Sequence, residues 1–390
     1  MKSICLCICY STKNYGSMLQ SFATMKYVEM AGLEYKIIKY EKKHDFTFYI
    51  KSLFKLFGAN ARSLLMRSVK YKKNLRKNSE FANNISKRNC TFESFEKKNF
   101  ADSVIACHGY SELQKIGKEY PAYLVGSDQL WLPAGLSTNF YNLNFTADEA
   151  TRISYATSFG VSEIPFYQKK RTSNFLKRIQ FLSVREQKAV EIVRDIANKK
   201  AELVADPTLL ITTDDWNKFL SKTDNKYGEY IFVYFIGNNP LHRDAVMELS
   251  RKTGLKTIAL IHIDEYIPSD NNIYDETPFD VGPSEFVNLI RNAKFICTDS
   301  FHGSIFSIIN QKQFLVFNRF ESDSKHSTNS RIDSLCNVLG LEKRRFINHS
   351  DIMAQMTSPI DYSSVNEKVV ALRNNSVRFL ESAFLSIKEY

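Results

Sequence analysis

Thr298-Asp299-Ser300-Phe301-His302-Gly303 is the stretch of the chain best equipped for chemistry. Histidine is the side chain most readily set to exchange a proton near neutral pH. Ser300 and Gly303 stand where backbone N–H groups at a helix start would face an anion. The same residues would also make an ordinary helix-capping loop with a surface histidine, and on their own they fit either reading equally.

Other polar residues at strand ends raise the functional reading. Asp128 follows one apolar run, and Ser183-Val184-Arg185-Glu186 places an arginine at the end of the next. Lys325, His326, Ser330 and Arg331 lie just beyond the strand at Phe314–Phe317. Arginine suits bidentate contacts to carboxylate or phosphate, and lysine a phosphate point charge. Each has a plainer role open to it: Asp128 as a turn cap, Arg185 in an ion pair, Lys325 on a loop, Arg331 at a helix start. Together they suit a small dianionic ligand with His302 as proton donor. Asn14-Tyr15-Gly16-Ser17 is a further candidate anion loop, with Asn14 and Gly16 as its binding residues, although it is neither GxGxxG nor a P-loop. HExxH, CxxC, GxSxG and a paired Asp-x-Asp are all missing, so metal dependence is not indicated.

These residues need a scaffold of strands and helices in alternation. Ile4–Tyr10 reads as a first strand, a helix runs from about Met18 to Gly32, and Tyr35–Tyr40 is a second strand. This is half of a doubly wound sheet. Further strands are expected at Ala122–Val125, Ile153–Ala156, Phe181–Val184 and Leu203–Ala205, with a helix at about 166–179. Residues 206–229 read as a connection between domains. A second α/β unit follows, with strands at Ile231–Ile236, Thr257–His262, Phe295–Cys297 and Phe314–Phe317 and a helix opened by Pro283. The tail is expected to hold one long helix, 361–388. The domains are thus 1–205 with an inserted segment at 42–100, the linker 206–229, 230–345, and a helical tail at 346–390.

Composition suits a globular chain of 390 residues, 44% hydrophobic and 24% charged, long enough for two cores. The net charge of +11 is confined: residues 42–88 hold 13 Lys/Arg and two acids, and the rest balances at 40 of each sign. This segment interleaves Phe46, Phe48, Leu53, Phe54, Leu64 and Leu65 with lysines and arginines. It reads as basic amphipathic helices, either a solvated insert packed on its own domain or a contact with an anionic membrane face. With the remainder neutral and no nucleic-acid motif present, nucleic acid is not an expected partner. Seven cysteines fit a reducing compartment. Cys5, Cys7 and Cys9 would share one strand face as small buried hydrophobes rather than metal ligands. The apolar run in MKSICLCICY is too short for a signal peptide. A cytoplasmic protein is expected, at the inner face of the cell membrane if the basic segment binds lipid.

The ordered set NYGSMLQSFAT (14–24), GSDQLW (126–131), ISYATSFG (153–160), SVRE (183–186), ADPTLL (205–210) and TDSFHG (298–303) resembles the polysaccharide pyruvyl transferase family. The resemblance implies an α/β fold of two Rossmann-like domains facing across a cleft, GT-B-like, with the basic insert and C-terminal helix outside the strongest match. It implies transfer of a pyruvyl group from phosphoenolpyruvate, a co-substrate with no separate cofactor, to two hydroxyls of a saccharide as a cyclic ketal. The acceptor would be lipid-linked, in cell-surface polysaccharide synthesis. His302 matches the histidine used beside phosphoenolpyruvate, with Asp128 orienting or deprotonating a hydroxyl. Members often carry Ser-Arg-x-His, whereas this chain has Asp299-Ser300-Phe301-His302. Arg185, Lys325 and Arg331 are the candidates to replace the missing charge. A GT-B glycosyltransferase using a nucleotide-sugar, and a non-catalytic membrane- or polyanion-binding protein, are the competing readings.

Overall fold

The computed structural model describes residues 2–42, 69–133, 136, 139–220, 222–263, 265–319 and 329–387. Two all-parallel sheets organise them. The first has seven strands in the order β3-β2-β1-β4-β5-β6-β7. Its strands are β1 (Ser3–Cys7), β2 (Glu34–Glu41), β3 (Val104–His108), β4 (Ala122–Asp128), β5 (Thr151–Thr157), β6 (Phe181–Val184) and β7 (Glu202–Leu203). The second has four strands in the order β11-β10-β8-β9. They are β8 (Tyr230–Tyr234), β9 (Lys256–Ala259), β10 (Phe295–Thr298) and β11 (Gln313–Val316).

A parallel sheet is covered on both faces, so its strands read as continuous apolar runs. In β1, Ile4 and Leu6 enter one core, while Cys5 and Cys7 enter another across the sheet. β1 is shorter than the expected Ile4–Tyr10, because its pairing with β4 ends at Cys7 opposite Val125. Asn14 then caps the Tyr15–Met30 helix, its side chain accepting from Ser17 N at 3.2 Å. Strand β3 was not expected. It is the edge strand beside β2, and of its five residues only Cys107 is buried.

Of the basic segment, residues 43–68 lie outside the described residues. The remainder is helical at 69–77 and again at Ser79–Phe100. The longer helix packs on both halves. Phe92 lies 4.8 Å from the Tyr15 ring, and Phe95 and Phe100 meet Phe22. Phe81 packs on His262 and Tyr266 of the second half. The Arg88 guanidinium, buried, donates to the carbonyls of Ile261 (2.8 Å) and His262 (3.2 Å).

The 206–229 stretch contains helices Pro207–Leu210 and Thr213–Phe219. Trp216 sets its ring between Phe22 of the first half and Phe306 of the second. The Tyr362–Leu385 helix returns to the first half: Ser376 Oγ accepts from Ala205 N at 2.8 Å, and Asn375 donates to the Leu203 carbonyl at 3.2 Å. One apolar core therefore runs through both halves.

Candidate active site

The carboxyl ends of the strands carry a connected set of charged side chains. Asp128 closes β4 with φ +72°, a left-handed conformation that aspartate adopts more readily than most residues. One carboxylate oxygen accepts from Ser17 Oγ and the other from Arg185 Nη2 at 3.2 Å. Arg185 follows β6, and its side chain is 1% exposed. Its Nη1 donates to Asp206 Oδ2 at 2.7 Å. Asp206 follows β7 and does two jobs. Oδ1 accepts from Thr208 N (3.1 Å) and Oγ1 (2.8 Å), capping the short helix, while Oδ2 takes Arg185 and Ser127 Oγ (3.0 Å).

The same Asp206 oxygen faces His302 Nε2 across 3.6 Å, an ion-pair separation too long for a hydrogen bond. His302 comes from the second half, one residue into the Phe301–Ile309 helix that Ser300 caps by accepting from Gly303 N at 3.2 Å. Only 6% of it is exposed, and Nε2 has no hydrogen-bond partner among the described residues. Its other face presses on the first half: a Cβ at Gly16 would lie 2.1 Å from His302 Nδ1. Gly303 is likewise required to be small, since a Cβ there would lie 2.6 Å from Thr298 Oγ1. Asp299 ties the end of β10 to the segment after its neighbour β8, accepting from Ile236 N and Gly237 N, both at 2.8 Å.

Phe301 stands where arginine charge is otherwise expected nearby. The Arg185 guanidinium lies 4.5 Å from its ring centroid and that of Arg331 5.8 Å. The Gln129 amide, turned so that its oxygen faces Arg331, accepts from Nη2 at 3.0 Å. Glu186 accepts from Ser158 Oγ at 2.6 Å, and its second oxygen lies 3.8 Å from Arg185 Nε.

Burial opposes every charge here, and the partners decide the outcome. Against burial, Arg185, His302 and Ser17 pull the Asp128 carboxyl down to about 2. Asp206 is driven well below the usual carboxylate range by His302, Arg185 and Thr208, again against burial. Burial works against the Arg185 cation, but Asp206, Asp128 and Glu186 outweigh it and raise its pKa. Glu186 goes the other way, because burial pushes it up further than Arg185 and Ser158 pull it down. Arg331 is lowered to about 10 by burial and by Arg185.

The structure thus brings together His302, Asp128, Arg185, Arg331, Ser300, Gly303 and Gly16. Asn14 stands behind them, holding the turn that delivers Ser17 to Asp128. Lys325 lies outside the described residues. Reading residues alone missed Asp206, whose Asp-Pro-Thr setting signals a helix cap and hides its second oxygen, and also Ser17, Gln129 and Glu186. Both sheets contribute at their topological switch points, where open α/β sheets bind ligands. In the first sheet, the segments following β1 and β4 meet through Ser17 and Asp128. In the second, those following β8 and β10 meet through Gly237 and Asp299.

The sequence profile described as polysaccharide pyruvyl transferase matches residues 14–320, from the Asn14 cap to the segment after β11. The chain belongs to this family. Membership makes it a transferase of polysaccharide biosynthesis. No curated protein matches the sequence. Among solved structures it is similar to Staphylococcus aureus MnaA in complex with UDP, with a TM-score of 0.52 and 13% identity over 100% of this chain and 98% of that one. It is also similar to a UDP-N-acetylglucosamine 2-epimerase, with a TM-score of 0.52 and 11% identity over 98% of this chain and 95% of that one. At such identity the likeness concerns the fold: two Rossmann-like domains in the GT-B arrangement.

Proposed function

We propose that this pyruvyl transferase moves the pyruvyl group of phosphoenolpyruvate onto two hydroxyls of a lipid-linked saccharide, releasing phosphate and leaving a cyclic ketal. The observation that carries the reading is His302 itself. It is a buried imidazole with Nε2 unpartnered, oriented by Asp206 and braced by Gly16, at the meeting of the two sheets' carboxyl ends.

Protonation of the enol methylene carbon by His302 Nε2 makes C2 an oxocarbenium-like centre, which the first sugar hydroxyl attacks. The hydroxyl proton returns to the now neutral imidazole, so one histidine serves as acid and then base. Collapse of the adduct breaks the C2–O bond to phosphate. The second hydroxyl closes the ketal, and its proton leaves with the phosphate. Asp206 remains ionised and, facing Nε2 across 3.6 Å, holds the ring in position. Asp128, ionised down to about pH 2, is too weak a base to take a hydroxyl proton; its role is to orient a hydroxyl by accepting from it. Arg331, half-buried beside Phe301, supplies positive charge toward the phosphate or carboxylate of phosphoenolpyruvate.

The test is phosphoenolpyruvate with a panel of lipid-linked and aryl glycosides, read by mass spectrometry for pyruvyl addition and by phosphate release. His302→Ala is expected to lower both by about 10²–10⁴-fold while the thermal transition is retained. Wild-type-like turnover in that variant, or binding of nucleotide-sugars with none of phosphoenolpyruvate, would sink the proposal.

A further inference from the structure

The Phe166–Arg178 helix, which joins β5 to β6, carries the most exposed large apolar side chains among the described residues. Phe166 is 88% exposed and its neighbour Tyr167 79%. Two adjacent aromatic rings in water are unlike the scattered single exposures elsewhere on the surface, such as Met30 or Ile347. The helix is fixed from beneath by Thr172, Phe175 and Leu176, so the outward face plays no part in the core. That face is also one-signed. The helix contains Lys169, Lys170, Arg171, Lys177 and Arg178 and no acid. Arg178 pairs with Asp148 at 3.0 Å and Lys169 with Glu163 at 3.7 Å, whereas Lys170 and Lys177 meet no carboxylate among the described residues. At helical spacing, Lys170 and Lys177 stand one turn and three turns along from Phe166, on the side that also shows Tyr167.

We infer that this face docks on an anionic lipid surface, with Phe166 and Tyr167 seated at the headgroup level and Lys170 and Lys177 against the lipid phosphates. Aromatic rings beside lysines are the side chains that settle at such an interface. A second copy of the chain fits poorly, because the two-fold contact would set one run of lysine and arginine against another. The location connects the surface to the chemistry. The loop before the helix runs through Ser158, which donates to Glu186 at 2.6 Å, and Gly160, which packs on the Gln129 side chain. The aromatic end of the helix therefore lies on the same edge of the sheet as the cluster around His302. A headgroup held there is presented to the site from the membrane side. This functional consequence rests on the proposed lipid-linked acceptor; the docking itself does not.

The experiment is co-sedimentation of the full chain with phosphatidylcholine vesicles, with and without about one third phosphatidylglycerol. Wild type is expected on the anionic vesicles only, and to leave them at about 0.5 M salt, where the Debye length shrinks to roughly 4 Å. The double variants Phe166→Ala/Tyr167→Ala and Lys170→Glu/Lys177→Glu are each expected to weaken partitioning about tenfold or more. Both should turn over a water-soluble aryl glycoside at the wild-type rate. Vesicle binding by both variants equal to wild type, or no binding by wild type, overturns the inference. So does a wild-type dimer in light scattering that Phe166→Ala/Tyr167→Ala dissociates. Failure of every acceptor to gain a pyruvyl group refutes the catalytic reading alone and leaves the vesicle result standing.

Discussion

Replacing Asp206 by asparagine separates what that residue does for the fold from what it does for His302. The change keeps the shape, and the amide oxygen of the new side chain can still accept from Thr208. It removes the one negative charge shared by Arg185 at 2.7 Å and His302 at 3.6 Å. Breaking a buried ion pair by removing one partner costs about 3–5 kcal/mol. Asp128 remains 3.2 Å from Arg185, so the lower end, about 3 kcal/mol, is expected. With an unfolding entropy of roughly 2.1 cal/mol/K per residue over a chain unfolding through one shared core, that loss lowers Tm by about 4 °C. A general acid contributes about 10²–10⁴ in rate, and loss of its orienting carboxylate is expected to cost at least ~100-fold in kcat. The decisive measurement is a double-mutant cycle on phosphate release from phosphoenolpyruvate. If Asp206 acts through His302, Asp206→Asn added to His302→Ala slows the reaction no further, because residues acting as a unit are not additive. A double variant slower than His302→Ala by the full Asp206→Asn factor would refute the coupling. So would Asp206→Asn with the lowered Tm but a wild-type kcat.

Two further perturbations probe the same cluster. Gly16→Ala places a Cβ 2.1 Å from His302 Nδ1, and overpacking of this kind costs roughly 1–3 kcal/mol, so the ring is expelled and kcat falls with only a modest loss of Tm. A wild-type kcat in that variant would show that His302 does not need the position seen here. Asp128, depressed from 3.8 to about 2, contributes stability that is fully present above its unfolded pKa and lost as pH falls through the folded one, about 2 kcal/mol in size. Asp128→Asn is therefore expected to be less stable than wild type at pH 7 by about that amount, with the gap closing between about pH 4 and 2 in denaturant midpoints. A gap that stays constant over this range would mean that the charge contributes nothing.

The strands were legible for a physical reason. Burial on both faces turns each into a short apolar run, and loop polarity marks their carboxyl ends, which is why Asp128, Arg185 and the 298–303 stretch could be picked out together. β3 escaped although Val-Ile-Ala-Cys is an apolar run of four: it follows at once on the inserted helical segment, which masks it, and as an edge strand it buries only Cys107. Asp206 escaped because one of its oxygens satisfies a local rule, the helix cap, and local rules cannot register a second partner distant in sequence. Charge counting misled in a similar way at Arg88. It was summed into a basic segment with solvated or membrane-facing lysines, yet it is 5% exposed and bonded to two carbonyls of the other half. What a side chain's type cannot encode is which half of the chain it will meet.

That last point bears on the chemistry. The resemblance leads to the expectation of an arginine near the histidine motif; this chain has Phe301 there, and positive charge reaches the motif from elsewhere. Arg185 comes from β6 of the first sheet, and Arg331 from the Asn329–Leu339 helix beyond the second. Both guanidiniums lie against the Phe301 ring, so two elements distant in sequence bring positive charge to this motif. Asp206 and Gly16, which orient and brace His302, also belong to the first half. His302 thus follows a strand of the second sheet, while the two residues that face it, Asp206 and Gly16, follow strands of the first. Assembly of the cluster requires the two halves to be in contact, a contact supplied by Trp216 and Arg88 and by the cluster itself, where Asp206 faces His302 and Arg185 lies over Phe301.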